Sequence, residues 1–148
     1  MIRRKDIYNE NSSLVGTHKI RIRFNECDPL GIVWHGNYIK YFEDGRETFG
    51  EQHGISYLDV QRNGFATPIV KTTSEHKLTL KYGDVVVIKT KFVNTAAAKI
   101  IFRYEIYNPE GKLACTGETV QVFIDSEGNL QLNNPLFFQQ WKQKMNLL

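Results

Sequence analysis

The chain has 148 residues, of which 41% are hydrophobic and 24% charged, a composition typical of one globular domain and not of a disordered or fibrous protein. Its formal net charge is +3, from 19 Lys and Arg against 16 Asp and Glu, which is too small to predict a nucleic-acid partner. No apolar stretch has the length of a signal peptide or of the ~20-residue helix that crosses a bilayer. We therefore expect one cytoplasmic domain without a membrane span.

The first predicted element is a half-buried strand. Ile20, Ile22 and Phe24 alternate with charged residues, which is the period of a strand with one face in the core. The residues 28–31, Asp-Pro-Leu-Gly, then predict a turn. The segment 1–17 before this strand is predicted to be an N-terminal arm.

A long amphipathic helix is predicted over residues 35–53. Its apolar positions recur at helical spacing, and Gly54 is typical of a helix C-cap. Residues 56–64 predict a short second helix or a turn. The face expected to pack on the rest of the protein consists of Tyr38, Tyr41, Phe42, Gly45 and Phe49.

Four strand patterns follow, over residues 66–80, 85–94, 99–108 and 112–125. The turns between them are too short for parallel crossovers, so these strands should form antiparallel hairpins. The predicted fold class is therefore α+β, with an antiparallel sheet of about five strands wrapped around one long helix.

A short C-terminal helix is predicted within residues 134–148. Asn134 and Pro135 suit the N-cap and first helical position of a helix over 136–145. Phe137, Trp141 and Met145 fall on successive turns, and we expect them to dock this helix on the domain or on a neighbouring subunit.

Known metal and nucleophile motifs do not occur in the sequence. Cys27 and Cys115 are too far apart in the chain to suggest a disulfide framework or a paired-cysteine metal site, and the four histidines lack zinc spacing. No Gly-x-Ser-x-Gly elbow or glycine-rich phosphate loop is found. We expect no metal and no cofactor.

Asp28 is the candidate catalytic residue, because it precedes the predicted helix start. Free N–H groups at a helix N-terminus can hold an oxyanion, and a nearby carboxylate can act as base or nucleophile. A purely structural role is the alternative, since Asp in an Asp-Pro-x-Gly turn often accepts a local backbone N–H.

The segment also resembles a known family. The pattern Asp28-Pro29-x-Gly31-x-Val33-x-His35-x-Asn37-Tyr38 is similar to that of hot-dog-fold acyl-CoA thioesterases of the 4-hydroxybenzoyl-CoA thioesterase type, including bacterial short-chain relatives. The resemblance covers residues 17–125, with the helix segment 41–46 and the turn Tyr82-Gly83-Asp84. Gly36 and Gly45 depart from it, since members often have alanine or another residue there, and we expect these glycines to soften the helix.

The resemblance implies hydrolysis of an acyl-CoA thioester to free acid and CoA by one hot-dog domain spanning 1–148. Asp28 would be the base or the nucleophile, and the backbone N–H of His35 the oxyanion donor. The His35 side chain would either orient a water or the thioester, or shape the pocket. Gly31, Val33, Asn37 and Tyr38 are expected to support substrate binding: Gly31 through a sharp turn, Asn37 by capping the helix or bracing Asp28, and Tyr38 as core or pocket wall.

The resemblance also implies partners. A homodimer or homotetramer is expected, with the site between subunits, and acyl carrier protein is a further candidate partner. Lys71, Lys77 and Arg103 are candidates for the CoA phosphates, whereas Glu43 and Arg46 are expected to form an ordinary surface pair. Two alternative functions stay open: a hot-dog dehydratase or hydratase, and a non-catalytic module that binds acyl thioesters or acyl carrier protein.

Overall fold

The computed structural model describes residues 14–148, so most of the predicted N-terminal arm lies outside the described residues. The strands are β1 (Val15–Arg21), β2 (Phe65–Ala66), β3 (Ile69–His76), β4 (Val85–Val93), β5 (Lys99–Tyr107), β6 (Leu113–Val122) and β7 (Ile124–Asp125). The helices are α1 (Asn37–His53), α2 (Tyr57–Arg62) and α3 (Leu136–Lys144), and a short 3₁₀ turn spans Phe24–Glu26.

Five strands form one antiparallel sheet in the order β1-β4-β5-β6-β3, and β2 pairs with β7 in a small second sheet. The long helix α1 lies against β1, β4 and β5. This confirms the predicted α+β class, the five-stranded antiparallel sheet and the single long helix. β3 is the last strand in this order, so it forms an edge of the sheet, and all of its residues are exposed.

The predicted apolar face of α1 is confirmed, since all five of its residues are buried. The Phe42 ring stacks on Tyr104 of β5, with centroids 4.4 Å apart and planes 14° from parallel. Gly117 of β6 makes room for this ring, because a Cβ there would collide with it. The stacking of Phe42 on Tyr104, in the space that Gly117 leaves, thus positions α1 on the sheet.

Gly45 lets α1 approach β4 closely. A Cβ at this position would collide with Thr90 Oγ1 and come within 3.0 Å of Ile88 Cγ2. Thr90 is fully buried, and its hydroxyl has no hydrogen-bond partner among the described residues. The departure at Gly45 therefore serves close packing.

Gly45→Ala is expected to lower the free energy of unfolding by about 1–3 kcal/mol, the usual cost of overpacking a core. Intrinsic helix propensity alone would instead predict that Gly45→Ala raises the free energy of unfolding by about 1 kcal/mol. In a Thr90→Ala background the cost of Gly45→Ala should fall to at most half, since the colliding hydroxyl is gone. Urea denaturation of the four proteins measures both effects, and equal costs in the two backgrounds would exclude this contact as the cause.

Three predicted boundaries are corrected by the structure. The first strand runs over Val15–Arg21 and so begins inside the predicted arm, while Phe24, predicted to face the core, is 78% exposed because the chain leaves the sheet and turns. The predicted strand over 66–80 is divided into β2 and β3 around Pro68, which has no N–H for a sheet. The predicted strand over 112–125 is divided into β6 and β7.

The C-terminal helix docks on its own domain. Trp141 Nε1 donates to the His53 carbonyl at the end of α1, and the buried Lys142 Nζ donates to the Thr95 carbonyl, each at 2.7 Å. The N-cap is Pro135 and not Asn134, and no side chain caps the helix. Phe138, which the predicted spacing omitted, is fully buried beside Trp141.

Candidate active site

The loop that carries Asp28 is a tight hydrogen-bonded turn. Asp28 N–H donates to the Ile32 carbonyl at 2.8 Å, and Gly31 N–H donates to the Asp28 carbonyl at 2.9 Å. Gly31 has φ +78°, a left-handed conformation that favours glycine, so the predicted sharp turn is confirmed. Next to the turn, Cys27 and Val33 form a β-bridge that closes its base.

The Asp28 carboxylate is half-buried and only partly engaged. Its Oδ1 accepts the Leu30 N–H at 2.8 Å, which is the local turn contact expected of a structural Asp. Its Oδ2 has no hydrogen bond or ion pair within residues 14–148. The turn therefore orients the side chain through one oxygen and leaves the other available to a reactant.

The turn is anchored to the sheet and to α1. Val33, 4% exposed, donates its N–H to the Leu80 carbonyl at 2.8 Å, just before β4. The carbonyl of Glu26 accepts both the Trp34 N–H at 3.0 Å and Asn37 Nδ2 at 2.7 Å. Asn37 thus braces the chain leading into Asp28. The alternative that Asn37 caps the helix is wrong, because Gly36 is the N-cap and, among residues 14–148, no side chain caps α1.

The start of α1 offers free backbone donors. The helix begins at Asn37, two residues later than predicted, because Asn37 N–H donates to the Trp34 carbonyl. In the described part of the chain, the N–H groups of His35 and Gly36 have no hydrogen-bond acceptor. Together with the helix dipole, these two groups can stabilise a negative oxygen.

The His35 side chain is exposed at the helix start. Its ring centroid lies 5.0 Å from that of Trp34, and within residues 14–148 its ring nitrogens have no hydrogen-bond partner. Trp34 lies over Gly36, where a Cβ would come within 2.7 Å of the indole Cε3. Glycine at position 36 thus allows this indole to cover the helix start.

Tyr38 belongs to the core of the single chain. It is 3% exposed, and its ring meets His76 edge-on at 4.6 Å between centroids. Burial raises the pKa of Tyr38 to about 12, so its hydroxyl stays protonated at neutral pH. Of the two predicted roles, core and pocket wall, the single chain places Tyr38 in the core.

Cys27, the residue before Asp28, is held in its unreactive thiol form. Burial, followed by the negative charges of Glu26 and Asp28, raises the pKa of this thiol. Glu26 itself is 8% exposed and accepts the Arg23 N–H at 2.7 Å. This environment disfavours the nucleophilic thiolate form of Cys27.

The predicted phosphate ligands do not form a cluster around this loop. Arg103 pairs with Glu118 at 3.1 Å and, by strand alternation, lies on the sheet face opposite Phe102 and Tyr104. Lys77 pairs with Glu75 at 3.7 Å, and Lys71 is exposed on β3. Arg46 donates to the Tyr104 hydroxyl at 3.1 Å, and no ion pair between it and Glu43 is found among the described residues.

A cavity of about 550 Å³ lies between α1, α2 and the inner face of the sheet. Its apolar floor comes from β4, β5 and α3, and polar side chains of α1 stand along one side. Sequence reasoning assigned no functional role to α2 or α3, because neither carries a recognisable motif. The residues that line the cavity include Glu43, Arg46, Glu47, Glu51, Leu58, Ile69, Phe92, Ile100, Phe102 and Phe138.

Among residues 14–148, no three His, Cys, Asp or Glu side chains are placed to hold a metal ion. In the same part of the chain, no helix is long and apolar enough to cross a membrane.

Comparison with known proteins gives consistent matches. The model of the thioesterase-like superfamily matches residues 22–142. A Bacillus subtilis protein named "Putative acyl-CoA thioesterase YneP" is 30% identical over 127 residues, covering 86% of this chain and 92% of the relative. The 4-hydroxybenzoyl-CoA thioesterase of Pseudomonas sp. is 28% identical over 119 residues, covering 76% of this chain and 84% of the relative.

The fold has solved counterparts as well. A DHNA-CoA thioesterase from Staphylococcus aureus superimposes with a TM-score of 0.81 at 27% identity, covering 89% of this chain and 91% of that structure. The predicted hot-dog fold is thereby confirmed.

Proposed function

Because the chain belongs to the thioesterase-like superfamily, we propose that it hydrolyses acyl-CoA thioesters to the free acid and CoA. The relatives named above carry acyl-CoA thioesterase names at substantial coverage. One structural observation supports the proposal most directly. Asp28 lies in a turn tied to the start of α1, and within the described residues 14–148 one of its carboxylate oxygens and the N–H groups of His35 and Gly36 have no hydrogen-bond partner.

The proposed reaction needs little more than these groups. A thiol with a pKa near ~8.5 is a good leaving group, so a thioester can be cleaved without an obligatory general acid. The carbonyl oxygen would gain negative charge beside the N–H of His35 or Gly36, and Asp28 would attack the carbonyl or activate a water. Both routes are consistent with the free Oδ2, and the exposed His35 imidazole is available to orient the water or the thioester.

The assembled enzyme is proposed to be a homodimer or a tetramer of dimers. β3 is a sheet edge exposed along its whole length, and it carries Ile69 and Val70, which are 39% and 59% exposed. Such an edge pairs readily with another strand, and β3 of a second copy is its natural partner. The two unpaired thiols, Cys27 and Cys115, agree with a cytoplasmic location.

Release of free thiol from a panel of acyl-CoA and acyl carrier protein thioesters tests the proposal. We expect turnover of at least one acyl-CoA, with loss of thioester absorbance matching the thiol released. Water addition to 2-enoyl-CoA without thiol release would instead assign the hydratase class. Saturable binding of acyl-CoA with no turnover across the panel would assign a binding module and refute the proposed hydrolysis.

A further inference from the structure

The cavity beside α1 has the shape and polarity of a receptacle for a hydrocarbon chain. We propose that it holds the distal end of an uncharged acyl group, and that Leu58 of α2 and Phe138 of α3 set the chain length it accepts. This inference rests on the proposed thioesterase function and adds a substrate class to it. It also gives α2 and α3 a role in specificity.

The floor of the cavity is mainly apolar. Phe92, Ile100 and Phe102 are each no more than 5% exposed, and beside them the Gln121 and Thr67 side chains satisfy each other through a hydrogen bond of 3.2 Å. Phe138 lies behind them and is fully buried, held by Phe123 with ring centroids 5.0 Å apart. A smaller residue at position 138 would therefore deepen the cavity.

α2 and β3 add further apolar side chains. Leu58 and Ile69 line the cavity with side chains that are 55% and 39% exposed, so each can contact an occupant. Away from the charged side of α1, the volume of about 550 Å³ is thus bordered mainly by apolar groups, which favours an apolar ligand. A larger side chain at position 58 would occupy space that the occupant needs.

The charges along α1 exclude the anionic parts of the substrate. Glu43, Glu47 and Glu51 follow one another at four-residue spacing beside the cavity. Arg46, the single cationic side chain that lines the cavity among residues 14–148, donates to the Tyr104 hydroxyl. The resulting net negative charge repels the CoA phosphates and any carboxylated acyl group, so the neutral hydrocarbon end is the part that fits.

The position along α1 favours a chain of some length. Glu43 and Glu51 lie six and fourteen residues after Asn37, at which the helix starts. At the ~1.5 Å rise per residue of an α-helix, the cavity begins about 9 Å from Asn37, and the free N–H groups of His35 and Gly36 lie just before that residue. An acetyl group held at those donors would not reach it, whereas a medium-length acyl chain would.

Leu58→Trp is the primary test, because the residue is exposed and the change does not threaten the core. We expect kcat/KM for decanoyl-CoA to fall about tenfold or more, the scale for losing a few methylene contacts, while butyryl-CoA changes less than about twofold. Gln61→Trp on the same helix is the matched control, since Gln61 is exposed and does not line the cavity. Equal chain-length profiles for the two variants would overturn the inference.

Phe138→Leu tests the floor in the opposite direction. The chain length with the highest kcat/KM should shift towards longer acyl groups, whereas Phe137→Leu should leave it unchanged. Phe137 is the adjacent residue of α3, but it packs against Phe65 and Phe123 and does not line the cavity. A shift of the same size in both variants would indicate a general effect of loosening α3 and would contradict a specific role of Phe138.

A binding measurement separates failure of this inference from failure of the proposed function. Calorimetry with the thioethers S-decyl-CoA and S-butyl-CoA requires no turnover. Leu58→Trp should weaken binding of the decyl compound about tenfold relative to Gln61→Trp and leave the butyl compound unchanged. Suppose that the wild-type protein hydrolyses acyl-CoA but that Leu58→Trp changes neither the chain-length profile nor the binding of the decyl compound. The proposed function then stands and the cavity assignment is wrong. If the wild-type protein shows no hydrolysis, the binding difference between Leu58→Trp and Gln61→Trp decides the cavity assignment alone.

Discussion

Asp28→Asn is expected to lower kcat for acyl-CoA hydrolysis by about a hundredfold or more, the scale for losing a positioned base or nucleophile. The amide keeps the size of the carboxylate, and its oxygen can still accept the Leu30 N–H that orients the wild-type side chain. KM should change much less, since the backbone donors at the helix start are untouched. Steady-state kinetics on the preferred acyl-CoA measures both constants.

Asp84→Asn is the matched control for this substitution. Asp84 is also half-buried in a turn and accepts a backbone N–H, that of Lys81 at 3.0 Å. A purely structural effect of losing a turn carboxylate would lower the turnover of both variants alike. Near-normal turnover by Asp28→Asn, or an equal loss of turnover in the two variants, would therefore falsify the catalytic assignment. With wild-type enzyme, a single turnover in isotopically labelled water then tests attack by Asp28. Unlabelled product acid requires a mixed anhydride that water opens at the Asp28 carbonyl, whereas labelled acid results whenever water attacks the acyl carbon.

Val70→Asp is expected to convert an even-numbered oligomer to monomers and to abolish most of the activity. Val70 is 59% exposed on the edge strand β3, and a symmetric pairing of two copies would bring the new carboxylates close together. Light scattering gives the mass, and the same samples give the rate. The activity should be lost with the mass, because a site completed by a second subunit is incomplete in a monomer.

Leu132→Asp controls for added charge, since Leu132 is 83% exposed and lies outside the strands. Its mass and rate should equal those of the unmodified protein. A fully active monomer, in the wild type or in the Val70 variant, would contradict a site shared between subunits while leaving Asp28 as the catalytic candidate.

Much of the fold follows from local pattern. The burial of Tyr41, Phe42 and Phe49 follows from helical spacing alone, and the antiparallel order follows from turns too short for crossovers. Phe24 and Phe138 escaped prediction for different reasons, the first at a strand end and the second within a helix. The alternation of apolar and charged residues cannot show that β1 ends at Arg21 and that Phe24 lies outside it. Helical spacing counted in steps of four from Phe137 passes over its neighbour Phe138, which is buried.

The candidate site also has one part that local sequence pattern indicates and another that depends on tertiary contacts. Asp28 and the helix start are neighbours in sequence, so a motif could indicate them together. The brace from Asn37 to the Glu26 carbonyl joins residues eleven apart, and Arg46 reaches Tyr104 across fifty-eight positions. Such contacts are set by how α1 lies on the sheet, which no single segment specifies. The cavity is less predictable still, because it requires α1, α2, α3 and the four strands β3, β4, β5 and β6 at once.

The shared carbonyl of Glu26 has a mechanical consequence. It accepts the Trp34 N–H and the Asn37 amide together, so the chain that enters the Asp28 turn and the first turn of α1 are fastened to one atom. Thermal displacement of this region should carry the carboxylate and the backbone donors along as one body, and the gap between them should vary little. Groups whose spacing is fixed before the reactant arrives need little reorientation as charge develops on it, so the barrier includes little rearrangement of the protein.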